Sequence, residues 1–375
     1  MNQEAFHLLE GGKQAFAQIS EEIRLAKQEI IVHMFLWRDD SIGEQIAREL
    51  LVAADRGVKV TIEKDRYACL LEYAEECQRS FFHDISLLER LKVSGLVFLY
   101  NRKAWGRKLH VKRSEVYEQM KNHPHIVIKA QKKTHDHSKY YIFDSKRMIL
   151  GGINIEDKEL YADNEGRVYH DYMTLIEDPQ AVAEFMKKRQ DPSLSCEHFV
   201  INSHSDGVYE IRESYLQLIN DAQKQLTIMM AYFVPDKAVI EAIDKALRRG
   251  VEVRIMVARR SNFINDANRL TFSKLMRSAS EQSAPGSISF YMIDLMLHTK
   301  LLMNEKKIIT GSGNITGKSF YELGELDVRV ANDDSAYAAE VRSSVEDAFK
   351  KAQLITNIEE LDFNYLQAIV ESKVA

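Results

Sequence analysis

The 375-residue chain repeats itself, and the repeat narrows its fold more than any other feature. Ala26 opens A-K-Q-E-I-I-V-H-M-F and Ala222 opens A-Q-K-Q-L-T-I-M-M-A, each reading as a helix end that feeds an apolar strand. A helical stretch follows in both copies, Ile42 to Ala54 and Val239 to Leu247. Each closes on one signal, Arg56-Gly57-Val58-Lys59-Val60 and Arg249-Gly250-Val251-Glu252-Val253. Glycine ends a helix because it enters left-handed backbone freely, and the alternating valines start a strand. Strand, helix and strand of these lengths form a parallel βαβ unit, so the repeat predicts a duplicated α/β fold. Domains of roughly 100–200 residues independently favour two. The turn-rich stretch from Asp191-Pro192-Ser193 to Ser205-Asp206-Gly207 places the division at 1–195 and 196–375.

The copies differ in length. From Arg-Gly-Val to the motif described below is about 80 residues in the first copy and about 50 in the second, so the first carries an insertion. It falls between Cys69 and His125, where a helical pattern around Leu87 to Leu91 gives way to strand-like Leu96 to Tyr100 and then a basic run. Ser343 to Ala375 reads as amphipathic helix packed on the core.

Composition excludes several classes. Lys plus Arg total 51 against 56 Asp plus Glu, a formal charge of -5, which removes a global electrostatic case for nucleic acid. Cys69, Cys77 and Cys196 are odd in number and lack C-x-x-C spacing, so neither a disulfide framework nor a zinc cluster is suggested, and a reducing, cytoplasmic setting follows. The longest apolar run, Leu226 to Pro235, is about half of the roughly 18 residues a membrane span needs. Met1 to Phe16 holds Glu4 and Glu10 and no apolar h-region, so neither a signal peptide nor a transmembrane segment is expected.

Two matching constellations carry the chemistry. His137-Ser138-Lys139-Tyr140-Tyr141-Ile142-Phe143-Asp144 is followed after six residues by Gly151-Gly152-Ile153-Asn154. The second copy has His298-Thr299-Lys300, then Glu305, then Gly311-Ser312-Gly313-Asn314. Either H-x-K alone is a weak signal, whereas two in register with a duplicated fold are a strong one. Both segments read as strands, so the two-residue period places His and Lys of each copy on one face. The small pairs Gly151-Gly152 and Gly311-Ser312 let backbone approach closely. One His, one Lys and one Asn from each half then converge at the interface of the halves. Two cations and two amides around a point suit the equatorial oxygens of a phosphoryl group, so the expected ligand is a phosphodiester. His135 shares a face with His137 and invites a metal, but Lys139 continues that face and cations repel cations, so no metal and no cofactor is expected.

H-x-K-x4-D followed after six residues by G-G-x-N resembles the signature of the phospholipase D superfamily. Tyr232-Phe233-Val234-Pro235-Asp236, Gly151-Gly152-Ile153-Asn154-Ile155 and the F-L-W-R-D-D-S-I-G run from Phe35 to Gly43 resemble its cardiolipin synthase-like phosphatidyltransferases. The resemblance covers roughly Phe16 to Phe349. It implies two α/β/α sandwich domains with mixed sheets packed about a pseudo-twofold axis. It also implies a phosphatidyltransferase or phospholipase D acting on anionic glycerophospholipids through a phosphohistidine intermediate.

By the same resemblance, His137 is the nucleophile and His298 the acid/base, an order taken from the family's usual pattern. Lys139, Lys300, Asn154 and Asn314 hold the phosphoryl oxygens. A nucleophilic imidazole needs a carboxylate on its second nitrogen, and the acids at the family positions are Asp171 and Glu325. Asp144 and Glu305 match the motif's own acid and are expected to be structural. The second copy departs from the pattern: Glu305 stands where Asp is usual, and the stretch to Gly311 is one residue shorter, which implies a tightened hairpin or an alignment on Asn304.

The most basic run, Asn101 to Arg113, contains Trp105, one of two tryptophans, among Arg102, Lys103, Arg107 and Lys108. An indole among cations suits the headgroup region of an anionic bilayer, so phospholipid substrate and peripheral membrane contact are the expected partners, and nucleic acid is disfavoured. A solvated loop is the plain alternative for that run. Asn262 to Arg277, with helical Leu, Phe and Met spacing, lines an acyl-chain entrance or packs in the core. Two rival functions stand beside the lipid reading: a superfamily nuclease or phosphodiesterase, and a catalytically weak lipid-binding scaffold. Headgroup, acceptor and oligomeric state are not encoded in the motifs.

Overall fold

The computed structural model describes residues 3–74, 80–82, 88, 92–93, 114–130, 135–281 and 284–375. The strand expected at Leu96 to Tyr100 and the basic run with Arg102, Lys103, Trp105, Arg107 and Lys108 lie outside the described residues, as does Leu87 to Leu91 apart from Leu88.

The first half forms a seven-stranded sheet in the spatial order Phe6–Glu10, Tyr172–Ile176, Arg147–Gly151, Tyr140–Phe143, Glu29–Met34, Lys59–Lys64, Ile126–Lys129. The second half repeats this order with Phe199–Ser203, Glu325–Ala331, Lys307–Gly311, Lys300–Asn304, Gln225–Met230, Glu252–Ala258 and Ser287–Ile293. Val208–Tyr209 and Gln353–Ile355 add an edge strand on each side, making nine. The sheets are mixed. In each, the strand after the repeated Ala pairs parallel with the strand after Arg-Gly-Val and antiparallel with the strand after the motif lysine.

The repeated signals act as their chemistry dictates. Helices Ser41–Asp55 and Lys237–Arg248 start at Asp40 and Asp236, whose carboxylates accept the backbone N–H of Gly43 and Val239. Gly57 and Gly250 close them with φ of +91° and +89°, conformations a Cβ would strain. The arginines of the two signals do matching work. Arg56 donates to the carbonyls of Ile23 and Ala26, and Arg249 to those of Ile219 and Ala222, tying the end of the preceding helix to the βαβ turn.

Amphipathic helices cover the outer face of each sheet. In Lys237–Arg248 the buried residues are Val239, Ala242, Ile243, Ala246 and Leu247, the stripe of a 3.6-residue period. Helices Pro179–Gln190 and Ala336–Lys351 each follow the last long strand of their half and lie between the sheets. Their Val182, Phe185, Val341 and Val345 share one apolar cluster with Ile142 and Leu150 of the first sheet and Leu301 and Val328 of the second. The Tyr172 and Ser344 hydroxyls meet at 2.7 Å across this layer, and those of Thr174 and Tyr337 at 2.8 Å. The inner faces of both sheets are thereby one core.

One expectation is corrected. Ser343 to Ala375 is not one helix: after Lys351 the chain adds Gln353–Ile355 to the open edge at Ser287–Ile293 and turns at a capping box on Asn357. It restarts as helix Tyr365–Val374 under an Asn364 cap. An available sheet edge and two asparagine caps outweigh the helical spacing. Helix Asn265–Glu281 buries Phe272 and Leu275 in the outer core of the second half, and it is Phe263, just ahead of it, that meets Tyr232, at 6.0 Å between ring centroids.

The motif acids secure the hairpins. Asp144 accepts the backbone N–H groups of Lys27, Gln28 and Glu29 where the first strand begins, and Glu305 accepts those of Gln223, Lys224 and Gln225. Asn304 instead bonds within its own turn and to Leu218, so Glu305 is the equivalent residue and the hairpin is the tightened one. Asp144→Ala and Glu305→Ala should each lower unfolding free energy by roughly 1–3 kcal/mol, read as a shift in urea midpoint. Unchanged midpoints would show that these carboxylates do not anchor the hairpins.

Candidate active site

The two motifs meet where the halves touch, at two short parallel contacts. Tyr169–His170 pairs with Met296–Leu297, and Asp136 bridges Gly324. The N–H of His137 donates to the Gly324 carbonyl at 2.7 Å, and that of His298 to the His170 carbonyl at 2.9 Å. Each motif histidine is therefore hung on the backbone of the other half. The regular strands start only at Tyr140 and Lys300, so His137 and Lys139 lie just ahead of a strand rather than within it. His135 departs further. Its φ of +53° breaks the alternation, and its ring stacks on Tyr67 and His204 at 5.1 and 5.8 Å.

The carboxylates cross in the same way. His137 Nδ1 lies 3.0 Å from Glu325 Oε2, and His298 Nδ1 lies 2.7 Å from Asp171 Oδ2. An Nδ1–H donated to a carboxylate fixes the tautomer and leaves Nε2 as the reactive atom. Asp171 and Glu325 are each 1% exposed. Glu325 also accepts the hydroxyls of Ser312 at 2.5 Å and Ser319 at 2.7 Å, and Asp171 accepts the Tyr172 N–H at 2.8 Å.

Lys139 and Lys300 are fully buried beside them. Lys300 Nζ lies 3.4 Å from Asp171 Oδ2 and 2.9 Å from His298 Nδ1, while Lys139 Nζ donates to the His137 carbonyl at 2.5 Å and lies 5.3 Å over the Phe35 ring. Burial and the neighbouring lysine lower the pKa of both histidines, His298 to about 4. Burial with Lys300 nearby brings Lys139 down to about 7, against the pull of Glu325. Burial opposes ionisation of Asp171, but Lys300 and His298 outweigh it and hold the carboxyl below its ordinary range. Both shifts favour the neutral imidazole.

The asparagines and small residues complete the arrangement. Asn154 Oδ1 accepts the Leu36 N–H at 3.2 Å, the Asn314 N–H donates to Ser319 Oγ at 2.8 Å, and Asn314 Oδ1 is buried with no hydrogen-bond partner among the described residues. A Cβ on Gly152 would fall 2.2 Å from Asp171 Oδ2, so glycine is required for the acid to sit there. Ser312 takes that place in the second half, opposite a longer acid, and its hydroxyl serves Glu325. The edge of Phe35 meets His137 at 4.6 Å and Tyr232 meets His298 at 6.4 Å between centroids. Ser312, Ser319 and Phe35 support the site without having been assigned to it from sequence; only the three-dimensional partners of Glu325 and His137 identify them.

Of the eight residues expected from the sequence, His298, Lys139, Lys300, Asn154, Asn314, Asp171 and Glu325 are thus buried around this junction, and His137 meets them there half-buried. A cavity of ≈ 740 Å³ adjoins it, lined by His33, Glu63, Asp136, Arg189 and Glu325 but by neither motif histidine nor lysine. Burial lowers the His33 pKa, but Asp136 and Glu63 outweigh it and raise the imidazole to about 9, so it is cationic there.

Comparison with known proteins agrees with this geometry. The family model described as "Cardiolipin synthase, PLD-like domain" matches residues 19–190 and 215–351. The chain belongs to this phospholipase D-like family. Among its relatives, cardiolipin synthase A of Pseudomonas entomophila is 26% identical over 96% of this chain and 72% of that protein. Minor cardiolipin synthase ClsB of Bacillus subtilis is 24% identical over 93% and 82%. The crystal structure of phosphatidylserine synthase from Haemophilus influenzae superposes with a TM-score of 0.73 at 14% identity, covering 100% of this chain and 92% of that one, and so shares the phospholipase D-like fold.

In this family member, Gly152→Ala should unseat Asp171 and weaken binding of tungstate, a phosphoryl mimic, by about tenfold or more, the worth of one charge-assisted hydrogen bond. Gly317→Ala, which meets open space, is the control. Equal affinities in calorimetry would rule out Asp171 as the orienting acid.

Proposed function

We propose that the chain transfers a phosphatidyl group from an anionic glycerophospholipid to an alcohol or to water through a phosphohistidine intermediate. The observation that carries this reading is the pair of imidazoles at the junction, each oriented through Nδ1 by the carboxylate of the other half. His137 Nε2 attacks phosphorus, and the leaving alkoxide takes the proton of His298 Nε2. The acceptor hydroxyl then gives its proton to His298 as its oxygen attacks phosphorus and His137 departs. Lys139, Lys300, Asn154 and Asn314 hold the non-bridging oxygens as charge shifts onto them. The phospholipase D-like family membership and the cardiolipin synthase relatives support the lipid substrate, which is met at a bilayer surface. Among the described residues no helix is long and apolar enough to cross a membrane.

The reaction requires His298 to arrive protonated, although burial and Lys300 lower its pKa to about 4. A bound phosphodiester places a negative charge against the imidazole and favours its cation, so binding should draw a proton from solvent. Calorimetry with tungstate at pH 7 in buffers of different ionisation enthalpy should report uptake approaching one proton. Uptake of none would remove His298 as the general acid.

Turnover itself is tested with phosphatidylglycerol vesicles, with and without added alcohol, following lipid products by mass spectrometry. His137→Ala and His298→Ala should each reduce turnover by roughly 10³-fold or more. Near-normal turnover in either variant overturns the mechanism, and cleavage of nucleic acid in place of lipid moves the chain to the phosphodiesterase branch.

A further inference from the structure

One position is built oppositely in the two halves. In the first sheet Gly151 registers with Met173, and in the second Gly311 registers with Asp327. Next to these stand Ile153 in one half and Gly313 in the other. Seven residues before the repeated Ala26 and Ala222 stand Ile19 and Tyr215. Ile19, Ile153 and Met173 belong to one apolar cluster, so the fold closes this place with hydrocarbon. The second half closes it with Tyr215, Gly313 and Asp327. Both Tyr215 and Asp327 are fully buried.

The hydrogen bonds leave one proton to be found. Asp327 Oδ1 accepts the Gly313 N–H at 2.9 Å. Tyr215 Oη lies 2.7 Å from the Gly313 carbonyl oxygen and 2.7 Å from Asp327 Oδ2. A phenol has one hydrogen, and a carbonyl oxygen has none. Both contacts are hydrogen bonds only if Asp327 carries a proton: Oδ2–H donates to Tyr215 Oη, and Tyr215 donates to Gly313. The peptide groups on either side of Gly313 are then gripped at N–H and C=O, and the next residue is Asn314, whose own N–H is fixed by Ser319.

We propose that Asp327 is a positioning residue that works as the neutral acid, seating Asn314 through Tyr215 and Gly313, and that its ionisation loosens the phosphoryl site. On ionisation the carboxylate accepts the hydrogen bond of the Tyr215 O–H, and an oxygen lone pair then faces the Gly313 carbonyl at the same short distance. Burial in the apolar layer, with the Glu325 charge nearby, pushes the Asp327 carboxyl up to about 7, which puts the change in a working pH range. Among the described residues the titratable groups facing it are Tyr215 from helix Ile211–Asp221 and Glu325 on its own strand. The Ser312–Gly313 turn presents backbone N–H, and strand Phe199–Ser203 registers Val200 against it. The proposal rests on Asn314 holding phosphoryl oxygens, so its test reads the site without turnover.

The test measures tungstate affinity from pH 5.5 to 8.5 in the full chain and in Asp327→Asn, whose amide donates to Tyr215 and still accepts from Gly313 but does not titrate. Histidine titration is common to both, so the ratio of their Kd values isolates Asp327. The wild-type-to-variant ratio should be near one at pH 6 and rise about tenfold by pH 8.5. Infrared difference spectra, wild type minus Asp327→Asn, should show the carbonyl stretch of a protonated carboxylic acid at pH 6 that fades above pH 8.

Stability gives a second readout. A carboxyl raised in the folded state keeps a proton that the unfolded chain loses, so wild-type stability relative to Asp327→Asn should fall as pH rises from the ordinary carboxylate range to about 7, then level. The triple variant Tyr215→Ile, Gly313→Ile, Asp327→Met installs the first half's residues. A Cβ on Gly313 would meet Tyr215 Oη, Asp327 Oδ2 and Ile211 Cγ2 at 2.9 to 3.0 Å; the first two atoms are gone there, and only the Ile211 methyl must give way. It should fold and bind tungstate weakly at every pH. A flat Kd ratio, or no carbonyl band at pH 6, overturns the proposal, as does full tungstate affinity in the folded triple variant. Absent lipid turnover with band and ratio intact would refute the proposed reaction instead.

Discussion

Each reactive imidazole is held by a carboxylate from the opposite half, and the rest of the molecule serves that exchange. Glu325 reaches His137 and Asp171 reaches His298, so neither half orients its own motif histidine. The crossing demands that the halves sit at a fixed separation. A shared inner core, the two parallel contacts beside the motifs and the hydroxyl pairs of Tyr172 with Ser344 and Thr174 with Tyr337 supply that rigidity. A hydrogen bond of 2.7 Å tolerates only tenths of an ångström of slip, which a well-packed core can enforce and a mobile hinge cannot.

Burial sets the chemistry of the site as strongly as the pairing does. Two lysines and two carboxylates lie together away from water, and burial with the neighbouring lysines pushes the imidazoles toward neutrality against the pull of the carboxylates. Donors held this way need no reorganisation to meet an anion.

Duplication made the halves alike in topology and left them free to differ in detail. Gly152 closes against a short acid in one half, and Ser312 serves a longer acid in the other. Ile19, Ile153 and Met173 fill with hydrocarbon the place that Tyr215, Gly313 and Asp327 fill with a hydrogen-bonded acid. Such asymmetry lets two equivalent histidines take unequal roles, because each inherits a differently tuned surrounding.

Much was legible before any coordinates. The repeated Ala-to-strand and Arg-Gly-Val signals declared two βαβ units, because local backbone preferences and hydrophobic period act over few residues. The doubled H-x-K and G-x-N spacing picked out residues that the fold brings to one junction, while Asp144 and Glu305 lie on the backbone at the start of the opposite strand. Long-range decisions were not legible. Spacing alone did not say which carboxylate serves which histidine, that His137 precedes its strand, that the tail breaks into strand and helix, or that Ser319, Tyr215 and Asp327 converge behind Asn314. The sequence by itself determined the repeat, the fold class and the inventory of reactive groups, since these follow from local pattern and residue chemistry. Only the tertiary structure decided their pairing, their burial and their protonation, since those depend on what the far half of the chain brings within 3 Å of each side chain.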